Sequence, residues 1–99
     1  MALAGRQIRQ LRSLAHHLEP VVIVGKSCVT ENTVEQANEY IEKHELIKCS
    51  VLDTCAQTPR EAAEDLAEAL GAEVVQVIGR KFTLYRETSR EGVEKIQLD

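Results

Sequence analysis

The 99-residue chain has no tryptophan, three aromatic residues (Tyr40, Phe82 and Tyr85), two prolines and an odd number of cysteines. No apolar run approaches the roughly eighteen residues of a membrane span. The opening Met1-Ala2-Leu3-Ala4-Gly5 does not read as a signal peptide, so a soluble, cytoplasmic protein is expected. So few rings argue against a base-stacking platform, which wants two or three clustered aromatics, and Tyr85 is expected to pack rather than stack. Cys28, Cys49 and Cys55 contain no CxxC pair and have no histidines at metal-ligand spacing. His16 and His17 are adjacent and on a helix would diverge by about 100°. No metal is expected, and in a reducing compartment no disulfide.

Cys28 stands near a helix start that could lower its pKa. A nucleophile also needs a base, and His16 or His44 would have to be brought to it by the fold. No catalytic residue is assigned, and no enzyme, cofactor or small-molecule substrate is expected. Oxidation of Cys28 is a separate route by which that position could change function.

The length fits one domain with a real core. The net charge of −4 argues at first against nucleic acid, but the charges are unevenly placed. Residues 1–28 hold Arg6, Arg9, Arg12 and Lys26 against Glu19 alone. Residues 29–76 hold three cations and eleven acids. Residues 77–86 hold Arg80, Lys81 and Arg86 and no acid. An acidic protein can still present a basic face.

Ile8, Leu11, Leu14, Ala15 and Leu18 predict one apolar helix face over residues 6–18, with Arg9, Arg12 and His16 opposite and Arg6 beside them. Pro20 is expected to end that helix. Val21–Val24 lacks polar alternation and predicts a short strand buried on both faces or at its centre. Thr30 is a plausible cap for a helix over 31–44, with Val34, Ala37 and Ile41 inward and Glu31, Glu35, Glu39 and Glu42 outward. "ELIKCSVL" predicts a strand with Ile47, Cys49 and Val51 on one face and Lys48 and Ser50 on the other. In "TPRE", Thr58 caps, Pro59 suits the first helical position and Glu61 completes a capping box. That helix buries Ala62, Ala63, Leu66 and Leu70 and leaves through a left-handed Gly71. "EVVQVIGRKFTLYR" predicts two strands joined at Gly79-Arg80 by a type II′ hairpin. The order is α-β-α-β-α-β-β: a two-layer α/β domain over residues 1–87 with a four-stranded mixed sheet, its last strand antiparallel. Residues 88–99 form a polar tail, loosely held, which Val93, Ile96 or Leu98 could attach.

The stretch "VVIVGKSCVT" poses the functional question. A nucleotide P-loop needs a glycine five residues before Gly25, where this chain has Pro20, so that reading fails. A plain strand-to-helix turn remains, as does a clamp for nucleic-acid backbone. In the clamp, loop amides and the helix dipole meet phosphate and Lys26 adds charge.

"GRQIRQLRSLAHHLEPVVIVGK", "HELIKCSVL" and "GAEVVQVIGRKFTLYR" together resemble the CRM domain, the chloroplast RNA splicing and ribosome maturation domain, in its stand-alone bacterial YhbY-like form. The resemblance covers about residues 5–86, and "EKIQL" resembles a family ending. It implies a fold related to the C-terminal domain of translation initiation factor three, with strand order 1-2-4-3. It also implies non-catalytic RNA binding, association with large-subunit ribosomal precursors and a role in ribosome assembly. The family's loop reads GxxG. Gly25, Lys26 and Ser27 match its first three places, Cys28 departs at the fourth, and Glu19 departs from a commonly basic position. The RNA-binding residues expected are Gly25, Lys26, Ser27, Cys28, Arg6, Arg9, Arg12, His16, Arg80 and Lys81. The oligomeric state stays open, with a monomer as the default. The alternative function is a protein-interaction module whose acidic second helix binds basic ribosomal proteins.

Overall fold

The computed structural model describes residues 3–88, 92 and 95–98. Its elements are α1 (Gly5–Ala15), β1 (Pro20–Val24), α2 (Glu31–His44), β2 (Leu46–Val51), α3 (Pro59–Leu70), β3 (Glu73–Ile78) and β4 (Lys81–Tyr85). The sheet runs β1-β2-β4-β3. β1 and β2 are parallel, and β4 is antiparallel to both of its neighbours. The parallel pair follows from the α2 crossover, since no tight turn can return the chain to the same end of a sheet. At the hairpin, Gly79 has φ 57 and Ile78 pairs with Lys81, as a II′ turn requires.

Local signals place the helices. The Thr58 hydroxyl accepts the Glu61 N–H at 3.2 Å, and the Glu61 carboxylate accepts the Thr58 N–H at 2.9 Å. Gly71 ends α3 at φ 66. Thr30 caps α2 by accepting the Thr33 N–H. The Gln7 side chain accepts the Ala4 N–H at the start of α1.

Strand alternation divides the core in two. Val22, Val24, Ile47, Cys49, Val51, Phe82 and Leu84 form the sheet face covered by α2 and α3. That makes the expected two-layer body. Each fully buried large side chain there, such as Phe82, Ile41 or Leu66, contributes about 2 kcal/mol. On the opposite face α1 lays Leu11 and Ala15 on Leu46, Val75 and Tyr85. It covers one end of that face only. No helix among the described residues is long and apolar enough to cross a membrane.

The structure departs from the sequence expectations at four places. First, α1 stops at Ala15, because His17 and Leu18 donate to carbonyls three residues back in a tight turn ahead of Pro20. Leu18 still reaches the second core cluster. Second, β1 is covered on one face only rather than buried on both, with Ile23 61 % and Val21 39 % exposed, while its place at the sheet edge is the one the strand order 1-2-4-3 implied. An all-apolar run cannot report which of its faces is covered, whereas Pro20 at its start is an edge signal.

Third, Glu42 lies inside an ion pair with Arg86 at 2.7 Å, not on the outer stripe of α2. Arg86 also donates to the Leu70 carbonyl at 2.7 Å and the Asn38 carbonyl oxygen at 3.0 Å, so it leaves the basic hairpin for the interior. Fourth, the C-terminal segment is not loose at Thr88 and Ile96 but tied to the body there, Ile96 being one of the residues expected to be able to attach it. Glu45 is fully buried at φ 64, and its carboxylate accepts the N–H groups of Thr88 at 2.7 Å and Ile96 at 2.6 Å. Ile96 and Leu98 lie against the α1 cluster, while Val93 lies outside the described residues.

Glu45→Gln replaces one acceptor oxygen by a donor facing a backbone N–H. It is expected to cost about 1–3 kcal/mol, read as a lower urea midpoint at unchanged slope. An unchanged midpoint would show that the two N–H groups do not depend on this carboxylate.

Candidate nucleic-acid interface

β1 ends at Val24, and the next four residues close on themselves: the Cys28 N–H donates to the Gly25 carbonyl at 2.9 Å. Lys26 and Ser27 form the exposed tip. Gly25 does not need to be glycine for space, since an added Cβ would lie 3.9 Å from Leu52, an ordinary contact. The demanding position is Cys28, at φ 59. A left-handed backbone costs a residue with a Cβ about 1–2 kcal/mol, so the fourth loop position is where glycine would serve best. α2 starts at Glu31, whose acidic side chain opposes an approaching anion. The grip this loop offers therefore rests on its tip and on Lys26.

The sheet face that α1 leaves open continues from this loop. Cross-strand register aligns Ile23, Ser50, Lys81 and Ile78 in one row, and Lys48, Thr83 and Gln76 in the next. His16, just past the end of α1, closes a shallow depression with Lys48, Gln76, Ile78, Lys81 and Thr83. Arg12 donates through Nε to the Val75 carbonyl at 3.3 Å, beside β3. Arg9 and Arg6 follow along the exposed side of α1, with Arg6 at the end away from His16. Arg80 stands at the loop end of the sheet, but it donates to the Val51 carbonyl at 2.9 Å and the Leu52 carbonyl at 2.6 Å. It fastens the hairpin to the segment after β2.

The structure thus gathers His16, Lys81 and Arg12 on the α1 side of the sheet, with Arg80 and the Gly25–Cys28 turn at its upper end. Lys48 was missed by the sequence reading. Strand alternation had set it opposite the core residues, but nothing in the pattern showed that its face is open. Tyr85 is buried in the α1 cluster, and its phenol is pushed up by burial, then by Glu45 and Glu87. It packs.

The sheet also separates charge. The exposed side of α1 has arginines and no acid, while α2 and α3 expose Glu31, Glu35, Glu39, Glu61, Glu64, Asp65 and Glu68 on the other side. The molecule is 23 Å across at its thinnest. The Debye length at physiological salt is about 8 Å, so the acidic layer does not cancel the basic face.

Among the described residues no group of three or more metal-ligating side chains comes together. The thiols hold a surprise for the sequence reading. Cys28 and Cys55, 27 residues apart, bring their sulfurs to 2.7 Å, with the Cys55 thiol donating to Cys28. That contact, followed by backbone N–H groups of Gln57 and Ala56, lowers the Cys28 pKa. Burial raises Cys55, and burial pushes Cys49 up to about 12.

Residues 3–86 match the CRS1/YhbY (CRM) domain. The chain is 44% identical over 86 residues to the Bacillus subtilis protein named "Probable RNA-binding protein YqeI", covering 87% of this chain and 90% of that one. It is 42% identical over 95 residues to a Methanocaldococcus jannaschii protein named "Probable RNA-binding protein MJ0652", covering 94% of this chain and 69% of the relative. Its fold is similar to the solution structure of the protein SAV1595 from Staphylococcus aureus. The TM-score is 0.78 at 41% identity, covering 96% of this chain and all of that one.

Two substitutions test the strain at Cys28. Cys28→Ala keeps a Cβ at φ 59 and Cys28→Gly removes it, while both lose the thiol. The glycine variant is expected to be the more stable by about 1 kcal/mol in urea denaturation, because relief of the left-handed strain outweighs the added freedom of the unfolded chain. Equal stability, or a more stable alanine variant, would mean the turn relaxes out of the left-handed region.

Proposed function

The chain belongs to the CRS1/YhbY (CRM) domain family, and we propose that it is a non-catalytic RNA-binding protein that holds the sugar-phosphate backbone on the α1 side of its sheet. Charge separation across the sheet is the observation that carries this reading. A chain of net charge −4 concentrates exposed Arg6, Arg9, Arg12, His16 and Lys81, with half-buried Lys48, on one side and most of its exposed acids on the other. The names of its relatives in Bacillus and Methanocaldococcus agree with RNA as the ligand. In this reading Lys26 and the Gly25–Cys28 turn grip phosphate at one end and Arg9 and Arg12 follow the strand along the helix. Arg80 mainly secures the turn's neighbour. Such contacts position RNA without reading its sequence.

The RNA we assign to the protein is ribosomal, within precursors of the large subunit in the cytoplasm, and its role is to assist their assembly. Support for this finer assignment is the likeness to stand-alone bacterial members of the family. A binding role rather than a catalytic one fits the environment of Cys28, whose sulfur accepts from the Cys55 thiol, a donor there and not a base. Sedimentation of cell extract is expected to find the protein travelling with immature large subunits. Its presence only in the unbound fraction, at low and at physiological salt, would remove that assignment.

Lys26→Ala, Lys48→Ala and Arg12→Ala are each expected to weaken binding to unrelated structured RNAs by similar factors. Each should also reduce the slope of log affinity against log salt by roughly 0.7–0.9. Folded variants that bind like the parent would show an ordinary solvated face. Binding of basic ribosomal proteins through exposed Glu31, Glu35 and Glu39 would then be the reading to pursue.

A further inference from the structure

We propose that Cys28 and Cys55 form a dithiol–disulfide site, oxidised by low-molecular-weight disulfides of the glutathione type, that locks the Gly25–Cys28 turn and tightens its hold on RNA phosphate. The second half of this proposal rests on the RNA-binding reading above.

The pairing follows from topology. Cys28 closes the turn beyond the end of β1, and Cys55 lies in the segment beyond the end of β2, where its N–H donates to the Leu52 carbonyl at 3.0 Å. β1 and β2 are parallel neighbours paired through Val24 and Val51, so both segments leave the same end of the sheet side by side. Adjacent strands lie about 4.8 Å apart, which matches the Cα separation of about 4.4–6.8 Å that a disulfide spans. The left-handed backbone at Cys28 accompanies a side chain directed at the other thiol, and the sulfurs already touch at 2.7 Å.

The two cysteines differ as an attacking and a resolving thiol should. Cys28 is half-buried and reachable, and the donors around its sulfur favour the thiolate. Cys55 is 6% exposed. The Cys28 thiolate, its proton lost to solvent, attacks one sulfur of the small disulfide RSSR; a mixed disulfide forms and RS⁻ leaves. Cys55 then gives up its proton and attacks the Cys28 sulfur, forming the protein disulfide and expelling the second RS⁻. The two released protons convert the leaving groups to two RSH. Two protein thiols are oxidised and one small disulfide is reduced.

Bridging needs no large movement of the turn. It restricts the turn before RNA arrives, and preorganisation of this kind raises affinity. Cys49, buried in the α2–α3 core, serves as the internal control that stays a thiol.

The experiment incubates the reduced chain with glutathione disulfide, alkylates it under denaturing conditions and weighs it intact. The expected product has lost two hydrogens, carries one alkyl group instead of three, and yields a peptide pair joined through Cys28 and Cys55. Cys55→Ser should instead accumulate glutathione on Cys28. Three alkylated thiols, or a glutathione adduct persisting on the parent chain, would overturn the site. At constant salt the bridged form should bind structured RNA about threefold tighter or better than the reduced form, a gain absent from Cys55→Ser without glutathione. A bridge that leaves affinity unchanged or lower would overturn the effect on the turn. Absence of RNA binding by both forms would overturn the proposed function, while the bridge itself is still decided by mass.

Discussion

The carboxylate of Glu45 sits where α2 ends and β2 begins, fully out of solvent, and accepts backbone N–H groups from Thr88 and Ile96. The carbonyl of the same residue accepts the Arg86 N–H at 2.9 Å. Arg86 in turn holds the last carbonyl of α3 and the Asn38 and Glu42 side chains of α2. One end of the fold is thus a node of hydrogen bonds, and those made by the Arg86 guanidinium are worth about 1.5–3 kcal/mol each. The core clusters bring the layers together, and the node sets how the chain enters and leaves them. It also anchors the C-terminal segment beside α1, where Ile96 and Leu98 complete the apolar seat of that helix.

With that end secured, the opposite end is available for binding. The Gly25–Cys28 turn, the Leu52 segment and the Arg80 hairpin meet there, linked by bonds from Leu52 to the Val24 carbonyl and from Arg80 to the Val51 and Leu52 carbonyls. These contacts are sparser and more exposed than the Glu45 node. The proposed hold on phosphate would gain from such an arrangement, since a rigid base positions a turn whose tip stays accessible. The sheet between α1 and the other two helices keeps most exposed acids away from it.

Much of this architecture was legible in the sequence because its signals are local. The Thr58–Glu61 capping box, the Thr30 cap, the Gly71 exit and the Gly79-Arg80 turn each act within a few residues, and each stands where the pattern put it. What was not legible depends on distant pairing. The apolar run of β1 concealed an exposed face, Glu42 and Arg86 meet only in the folded chain, and alternation set Lys48 apart from the core without showing that its face is uncovered. The Cys28–Cys55 contact is of the same kind, since a separation of 27 positions hides it from any spacing rule. The strain at Cys28 lay between these cases, foreseeable from the glycine expected there and located by its φ.

The position of α1 has a consequence for how the chain matures during synthesis. Leu11 and Ala15 are made before their partners, which are Leu46, Val75 and Tyr85, with Ile96 and Leu98 alongside. An isolated helix of this length is marginal in water, so α1 must wait on the ribosome until the rest of the domain has emerged. The hairpin of β3 and β4, by contrast, closes through near neighbours. The basic helix is therefore made before its seat and docks after it, and a chain truncated before Tyr85 would lack that seat.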